Sequence, residues 1–152
     1  MYHSLMNKTV GDAAETVTGQ GVSIWAILHA AHALEDRVEE ALGKAGLSTP
    51  KYSVLHALVE TGEALSLSDL AARLSCVRSN MTQLVDRLEA DGLVRRVSDP
   101  HDRRAVKAAI TEAGKGRYDA GSAELDSLHR VFSASVSEAD GAALVRLLSA
   151  IE

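Results

Sequence analysis

Residues 66–111, SLSDLAARLSCVRSNMTQLVDRLEADGLVRRVSDPHDRRAVKAAIT, constrain the fold more than any other part of the chain. Ser66 followed by Asp69 has the S-x-x-D form of a capping box that opens a helix. Leu67, Leu70, Ala71 and Leu74 then recur at helical spacing and make one apolar face. Ser75-Cys76-Val77 leaves room only for a turn. Met81, Leu84, Val85 and Leu88 repeat the helical spacing, and Gly92 stands where a left-handed residue ends a helix. Val94 to Ser98 alternates in part between apolar and polar, as an antiparallel strand does. Asp99-Pro100-His101-Asp102-Arg103 is turn chemistry loaded with charge, and Ala105 to Ile110 returns as a strand of small residues. The order helix, turn, helix, strand, basic turn, strand is that of a winged helix-turn-helix, which sets one helix in the DNA major groove and one loop on the adjacent backbone.

The polar residues of the second helical segment suit that task. Arg78, Ser79, Asn80, Thr82, Gln83 and Arg87 lie between its core positions. Arginine pairs with guanine, asparagine or glutamine pairs bidentately with adenine, and serine and threonine contact bases or phosphates. Asp86 falls on the same helix, but phosphate repels a carboxylate, so it is expected to pair with an arginine instead. The turn between the strands would present Arg103 and Arg104 near its tip, where an arginine fits the negative potential of the minor groove.

Taken together, the run resembles the MarR family of bacterial transcriptional regulators. That family has a recognition helix of the form VTRLVDRLExxGLVxR, followed by a wing of pattern D-x-R-D-x-R. Met81 to Glu89 and Gly92 to Arg96 match the first part; Asp99, Asp102 and Arg104 match the second. His101 stands where the family has its first wing arginine, Gln83 where many relatives have arginine, and Val77 at the usual Ser/Thr cap of the recognition helix. Leu47 to Leu58 and Ile110 to Gly114 also resemble the family, so the likeness spans roughly residues 24 to 150. The residue types and the resemblance together lead to the expectation of DNA contacts from Arg78, Ser79, Asn80, Thr82, Gln83, Arg87, His101, Arg103 and Arg104. Asp99 and Asp102 would brace the wing, with Asp102 and Arg104 supporting each other.

The net charge of −5 conflicts with DNA binding only as an average. From Arg73 to Lys107 there are eight basic and five acidic residues, against eight and sixteen elsewhere. A basic patch governs phosphate contact more than the mean does. Five aromatics and two prolines argue against a β-sandwich. No apolar run approaches the roughly 20 residues of a membrane span, and no signal peptide is evident at the N-terminus. One cysteine forms no internal disulfide, so a reducing cytoplasm is expected. No G-x-S-x-G, P-loop, H-E-x-x-H or paired CxxC occurs, which argues against an enzyme and leaves no cofactor to expect.

The expected fold is mostly α with a small β-hairpin wing. Residues 1–21 read as a flexible arm. Residues 22–46 hold a dimerisation helix with the stripe Ile24, Ile27, Leu28, Ala31, Leu34, Val38 and Leu42. Residues 47–111 form the DNA-binding lobe, whose first helix opens at Thr49 as cap with Pro50 at its first position and buries Val54, Leu55, Leu58 and Val59. Residues 112–152 hold two more dimerisation helices: one from about Glu112 to Ser135, with Tyr118, Leu125, Leu128, Val131 and Phe132, and one opened by Ser137 and Asp140, with Leu144, Leu147, Leu148 and Ile151. So small a winged core cannot bury all these stripes. An intertwined two-fold homodimer accounts for them, and the resemblance implies the same. Such a dimer places two recognition helices roughly 34–36 Å apart on a pseudo-palindromic operator.

Three other groupings carry chemistry. His29, His32 and Glu35 or Asp36 have helical spacing and would bind zinc only with a partner such as His129; two histidines on one helix do not close a site. In the family, effectors bind between the dimerisation helices and the DNA-binding lobe. Trp25, His29, His32, Tyr52 and His56 are therefore candidate pocket residues for a small aromatic or carboxylate-bearing effector, with core packing as the plain alternative. Cys76 sits in the turn before the recognition helix, either as a redox switch or as a small apolar filler; the family's peroxide sensors carry their cysteine in the first long helix, where this chain has none. The rival readings are a metal- or redox-responsive regulator of the same fold and a winged-helix module for protein contact.

Overall fold

The computed structural model describes residues 24–98 and 106–150. Residues 1–21, the wing residues Asp99, His101, Asp102, Arg103 and Arg104, and Ile151 lie outside them. The elements are α1 (Ile24–Lys44), α2 (Thr49–Thr61), β1 (Leu65–Ser66), α3 (Leu67–Arg73), α4 (Arg78–Ala90), β2 (Val94–Ser98), β3 (Val106–Ile110), α5 (Glu112–Ser135) and α6 (Glu138–Leu148). The chain divides into two compact units between Arg37 and Val38, within α1.

In the first unit, the start of α1 exposes Ile24, Trp25, Leu28 and Leu34. The second unit holds the core. Leu42 from the end of α1, Val54, Leu55 and Leu58 from α2, Leu70 from α3, Met81, Val85 and Leu88 from α4, and Val94 and Ala108 from the sheet close around one another. Burying each large apolar side chain there contributes about 1.5–3 kcal/mol. These residues hold the outer face of α4 in place.

Helix starts follow local chemistry. Ser66 Oγ accepts the Asp69 N–H at 3.1 Å, the N-cap half of the expected capping box, and donates to the Asp69 carboxylate at 2.7 Å. Ser137 and Asp140 repeat it at 2.6 and 3.1 Å. At α2 the start is displaced from expectation. Ser48 is the cap residue, Thr49 is the first helical residue and Pro50 follows it. The Glu39 carboxylate accepts both the Thr49 N–H (2.8 Å) and its hydroxyl (2.6 Å), supplying from α1 the oxygen that a side-chain cap would give. Val59 is also not core. It stands about 100° round the helix from Leu58 and is exposed, while Ala57 is buried.

The sheet has three antiparallel strands in the order β1-β3-β2. The hairpin pairs Val94 with Ile110 through Ser98 with Val106. The strand added to it, β1, pairs Leu65 with Ala108 and Ser66 with Lys107. Two residues are too few to show alternation, which is why a hairpin alone was expected. Thr111 joins the sheet to α5: its hydroxyl donates to the Gly92 carbonyl at 2.8 Å and accepts the Gly114 N–H at 3.0 Å.

Candidate nucleic-acid interface

The turn between α3 and α4 is built by backbone bonds. Cys76 N–H donates to Ala71 O at 2.9 Å, and Ser75 takes a left-handed φ of 48°. Val77 then enters α4 with extended dihedrals and no side-chain cap, as its apolar side chain dictates. A helix start without a capping oxygen, at the positive end of the helix dipole, favours an approaching anion.

Helix α4 is sharply divided. Met81, Val85 and Leu88 are fully buried, while Arg78, Ser79, Asn80, Thr82, Gln83 and Arg87 are all exposed. The structure thus brings together on one outward face every residue proposed from this helix. Asn80 and Gln83, three apart, project to the same side. Thr82 is modified by its setting: its hydroxyl donates to Arg78 O at 3.1 Å, which leaves it chiefly an acceptor.

Asp86 pairs with Arg96 of β2 at 2.5 Å, so it is turned toward the sheet by a cation. Arg96 also binds the Glu89 carboxylate, through its guanidinium and through its backbone N–H (3.0 Å). The hydrogen bond that Arg96 donates to Asp86, with Glu89 adding to it, strengthens the hold of Arg96 on its proton. Sequence reasoning missed Arg96 and Glu89. The signal was there, since Asp86 and Glu89 share a helix face and Arg96 follows in the next strand. Arg95 is exposed on β2, one residue from this cluster. The proposed wing contacts His101, Arg103 and Arg104, and the bracing Asp99 and Asp102, lie outside the described residues.

The residues proposed for an effector pocket occupy two settings. On α1, Trp25, His29 and His32 are exposed, and His32 Nδ1 lies 2.8 Å from Leu28 O within its own helix. On α2, Tyr52 and His56 stack with Tyr118 of α5, which was not among the proposed residues. Ring centroids are 5.2 Å apart for Tyr52 and Tyr118 and 6.1 Å for Tyr52 and His56. The Tyr118 hydroxyl lies 3.0 Å from His56 Nδ1, and the Tyr52 hydroxyl 3.0 Å from Ser122 Oγ. Burial pushes the Tyr52 phenol above its ordinary pKa. None of the five proposed residues lines the open cleft of about 310 Å³ bounded by Gly46, Lys51, Asp91, Leu93 and Arg117. Cys76 is half-buried. Among the described residues, no three His, Cys, Asp or Glu side chains are grouped to hold a metal ion, and no helix is long and apolar enough to cross a membrane.

The sequence profile of the MarR family matches residues 45–105, the span from the end of α1 into the wing. The chain is 35% identical over 113 residues to the HTH-type transcriptional regulator TtmR of Methylorubrum extorquens (strain PA1), covering 74% of this chain and 56% of TtmR. It spans about half the length of the curated relatives it matches. Among solved structures it is similar to CouR from Rhodococcus jostii RHA1 bound to p-coumaroyl-CoA. Identity there is 30% and the TM-score 0.68, over 83% of this chain and 88% of CouR. It is also similar to a MarR-family transcriptional regulator from Rhodococcus sp. RHA1, with 27% identity and a TM-score of 0.70, over 86% of this chain and 96% of that one. With its outward polar recognition helix, its three-stranded wing sheet and these likenesses over most of its length, the chain belongs to the MarR family.

Proposed function

We propose that this chain is a sequence-specific, double-stranded-DNA-binding transcriptional regulator that acts in the cytoplasm as a homodimeric repressor. The observation that carries the reading is the face of α4, with six exposed polar side chains over three fully buried apolar ones. A helix buried on one side and lined with Arg, Asn and Gln on the other has the chemistry to read base edges. In this reading Asn80 and Gln83 read bases, while Arg78, Ser79, Thr82 and Arg87 hold phosphates. His101, Arg103 and Arg104 grip the neighbouring backbone or minor groove, with Asp99 and Asp102 bracing the loop.

The unpartnered apolar residues support the dimer. Helix α6 has no buried residue, and its Leu144, Val145, Leu147 and Leu148 are exposed. Val131 and Phe132 of α5, and Ile24, Trp25, Leu28 and Leu34 of α1, are exposed too. A second copy would cover such surfaces. An effector reading is supported by the Tyr52, His56 and Tyr118 stack, which offers flat faces to a small aromatic or carboxylate-bearing ligand, and by CouR, a relative solved with p-coumaroyl-CoA bound. Such a ligand releases DNA only by binding the two states unequally.

The test is selection of bound duplexes from a random pool, followed by affinity against salt. Enrichment of a pseudo-palindrome is expected. Replacing Arg103 and Arg104 by Ala should flatten the salt slope by roughly one to two units. No enrichment and no salt dependence would leave the protein-contact reading instead.

A further inference from the structure

Burial of Met81, Val85 and Leu88 sets which face of α4 meets the core, but apolar burial is non-directional and leaves a rotation of a few degrees about the helix axis to be set by polar contacts. Directional contacts are added, among the described residues, by Lys51 of α2, which pairs with the C-cap residue Asp91 at 2.6 Å, and by Arg96 of the sheet. Arg96 reaches from β2 to two carboxylates on α4, Asp86 at 2.5 Å and Glu89, while its backbone N–H donates to Glu89 at 3.0 Å. Asp86 and Glu89 are one turn apart on the helix, and the planar fork of a guanidinium spans them where an ammonium cannot. Arg96 is itself fixed in the ladder opposite Ala108, which is fully buried. Helix and sheet are thereby joined through Asp86 and Glu89.

We propose that Arg96 is a positioning residue that sets the rotation of α4 against the wing sheet, and so the selectivity among DNA sequences, without touching a base. The proposal rests on the DNA-binding reading above. The lever is short. Side-chain tips stand about 5–6 Å from a helix axis, so a rotation of about 10° moves Asn80 and Gln83 by about 1 Å. A hydrogen bond to a base edge does not survive that displacement. Half-exposed ion pairs add little to stability, so loss of this one should alter reading far more than folding.

The experiment compares Arg96→Lys, Arg96→Met and the neighbouring Arg95→Gln in the full chain. Two quantities are measured: the ratio of affinities for the duplex enriched by wild type and for random duplex at fixed salt, and the orientation of α4 amides relative to β2 and β3 from residual dipolar couplings. In both Arg96 variants the affinity ratio should fall about tenfold or more and the α4 amides should reorient together. Arg96→Lys keeps the charge, so its affinity for random duplex should stay within about threefold of wild type. Arg95→Gln should preserve both ratio and orientation. Retention of both by Arg96→Lys overturns the proposal, as does a parallel loss of specific and random binding. Should wild type enrich no sequence, the DNA-reading function and the selectivity role fall together. The couplings need no DNA, so an unchanged α4 orientation in the Arg96 variants refutes the rotational role separately.

Discussion

Gly114→Ala is expected to destabilise the protein by about 3 kcal/mol, in the direction opposite to helix propensity. Gly114 lies in the first turn of α5. A Cβ built on it would stand 2.1 Å from Leu93 O, 3.0 Å from Leu93 C and 2.8 Å from Ile110 Cγ1. Two of those atoms are backbone. Leu93 O is not free to retreat, because it accepts the Thr111 N–H at 3.1 Å, and Thr111 in turn caps α5 through the Gly114 N–H. Restoring ordinary contact needs a shift of about 1 Å between helix and sheet. Overpacking of this kind costs about 1–3 kcal/mol, and each strained or broken hydrogen bond about 0.5–1.5 kcal/mol more. Alanine returns at most about 1 kcal/mol of helix propensity. The net of about 3 kcal/mol corresponds to roughly 6–12 °C in Tm for a chain of this size. The internal control is Gly116→Ala, two residues along the same helix, where a Cβ meets nothing within 4 Å; it should stabilise by about 0.5–1 kcal/mol. Urea unfolding at one protein concentration measures both, with the m-value as a check that the unfolded state is unchanged. If Gly114→Ala matches or exceeds the stability of wild type, the close approach of α5 to Leu93 is not as described.

Ser75 holds a left-handed φ of 48°, so Ser75→Gly should raise stability by about 0.5–1 kcal/mol in urea unfolding, relief of strain outweighing the entropy added to the unfolded chain. The hydroxyl of Thr49, and then its N–H, hold the Glu39 carboxyl below its usual pKa. The stability this contributes is full above the unfolded value and is lost as pH falls through the folded one. Glu39→Gln should therefore flatten the decline in urea midpoint between about pH 5 and 3. Leu148→Asp alters a residue that is 47% exposed in a single chain, so a monomer should tolerate it, and sedimentation should report folded monomer; an unperturbed dimer would place the interface elsewhere. Changing Asn80 or Gln83 to Ala should relax preference at particular operator positions, each worth about 1–3 kcal/mol; uniform loss across all sequences would mean they hold only the backbone.

Much of the winged core is legible because each of its features has a local cause. The capping box at Ser66, the stripes at Leu70 and Ala71 and at Met81, Val85 and Leu88, and the left-handed Gly92 (φ 72°) each depend on a few neighbours in sequence. What escaped a linear reading depends on distant partners. Strand β1 exists only because β3 lies beside it. The start of α2 is displaced because Glu39, ten residues earlier, supplies its oxygen. Tyr118 joins Tyr52 and His56 although it lies 62 residues beyond His56. Gly114 and Gly121 carry no periodic signal, yet both are buried, Gly114 against Leu93 and Ile110 at the sheet and Gly121 against Leu42, Leu47 and Tyr52.

The apolar stripes at the ends of the chain show a different limit. A hydrophobic period records that a helix face leaves water, and it does not record what covers it. The stripe through Leu70 and the stripe through Leu144 and Leu148 look alike as sequence. In the structure Leu70 is fully buried, whereas Leu144 and Leu148 remain 40% and 47% exposed. The difference lies in the number of surfaces one chain can offer. Helices α2, α3 and α4 and the sheet bury each other's apolar faces, but α6 has no such counterpart within the second unit. Its face is complete as a pattern and incomplete as a contact among the described residues, and in the proposed homodimer a second copy presenting the same stripe would satisfy it without any further sequence signal.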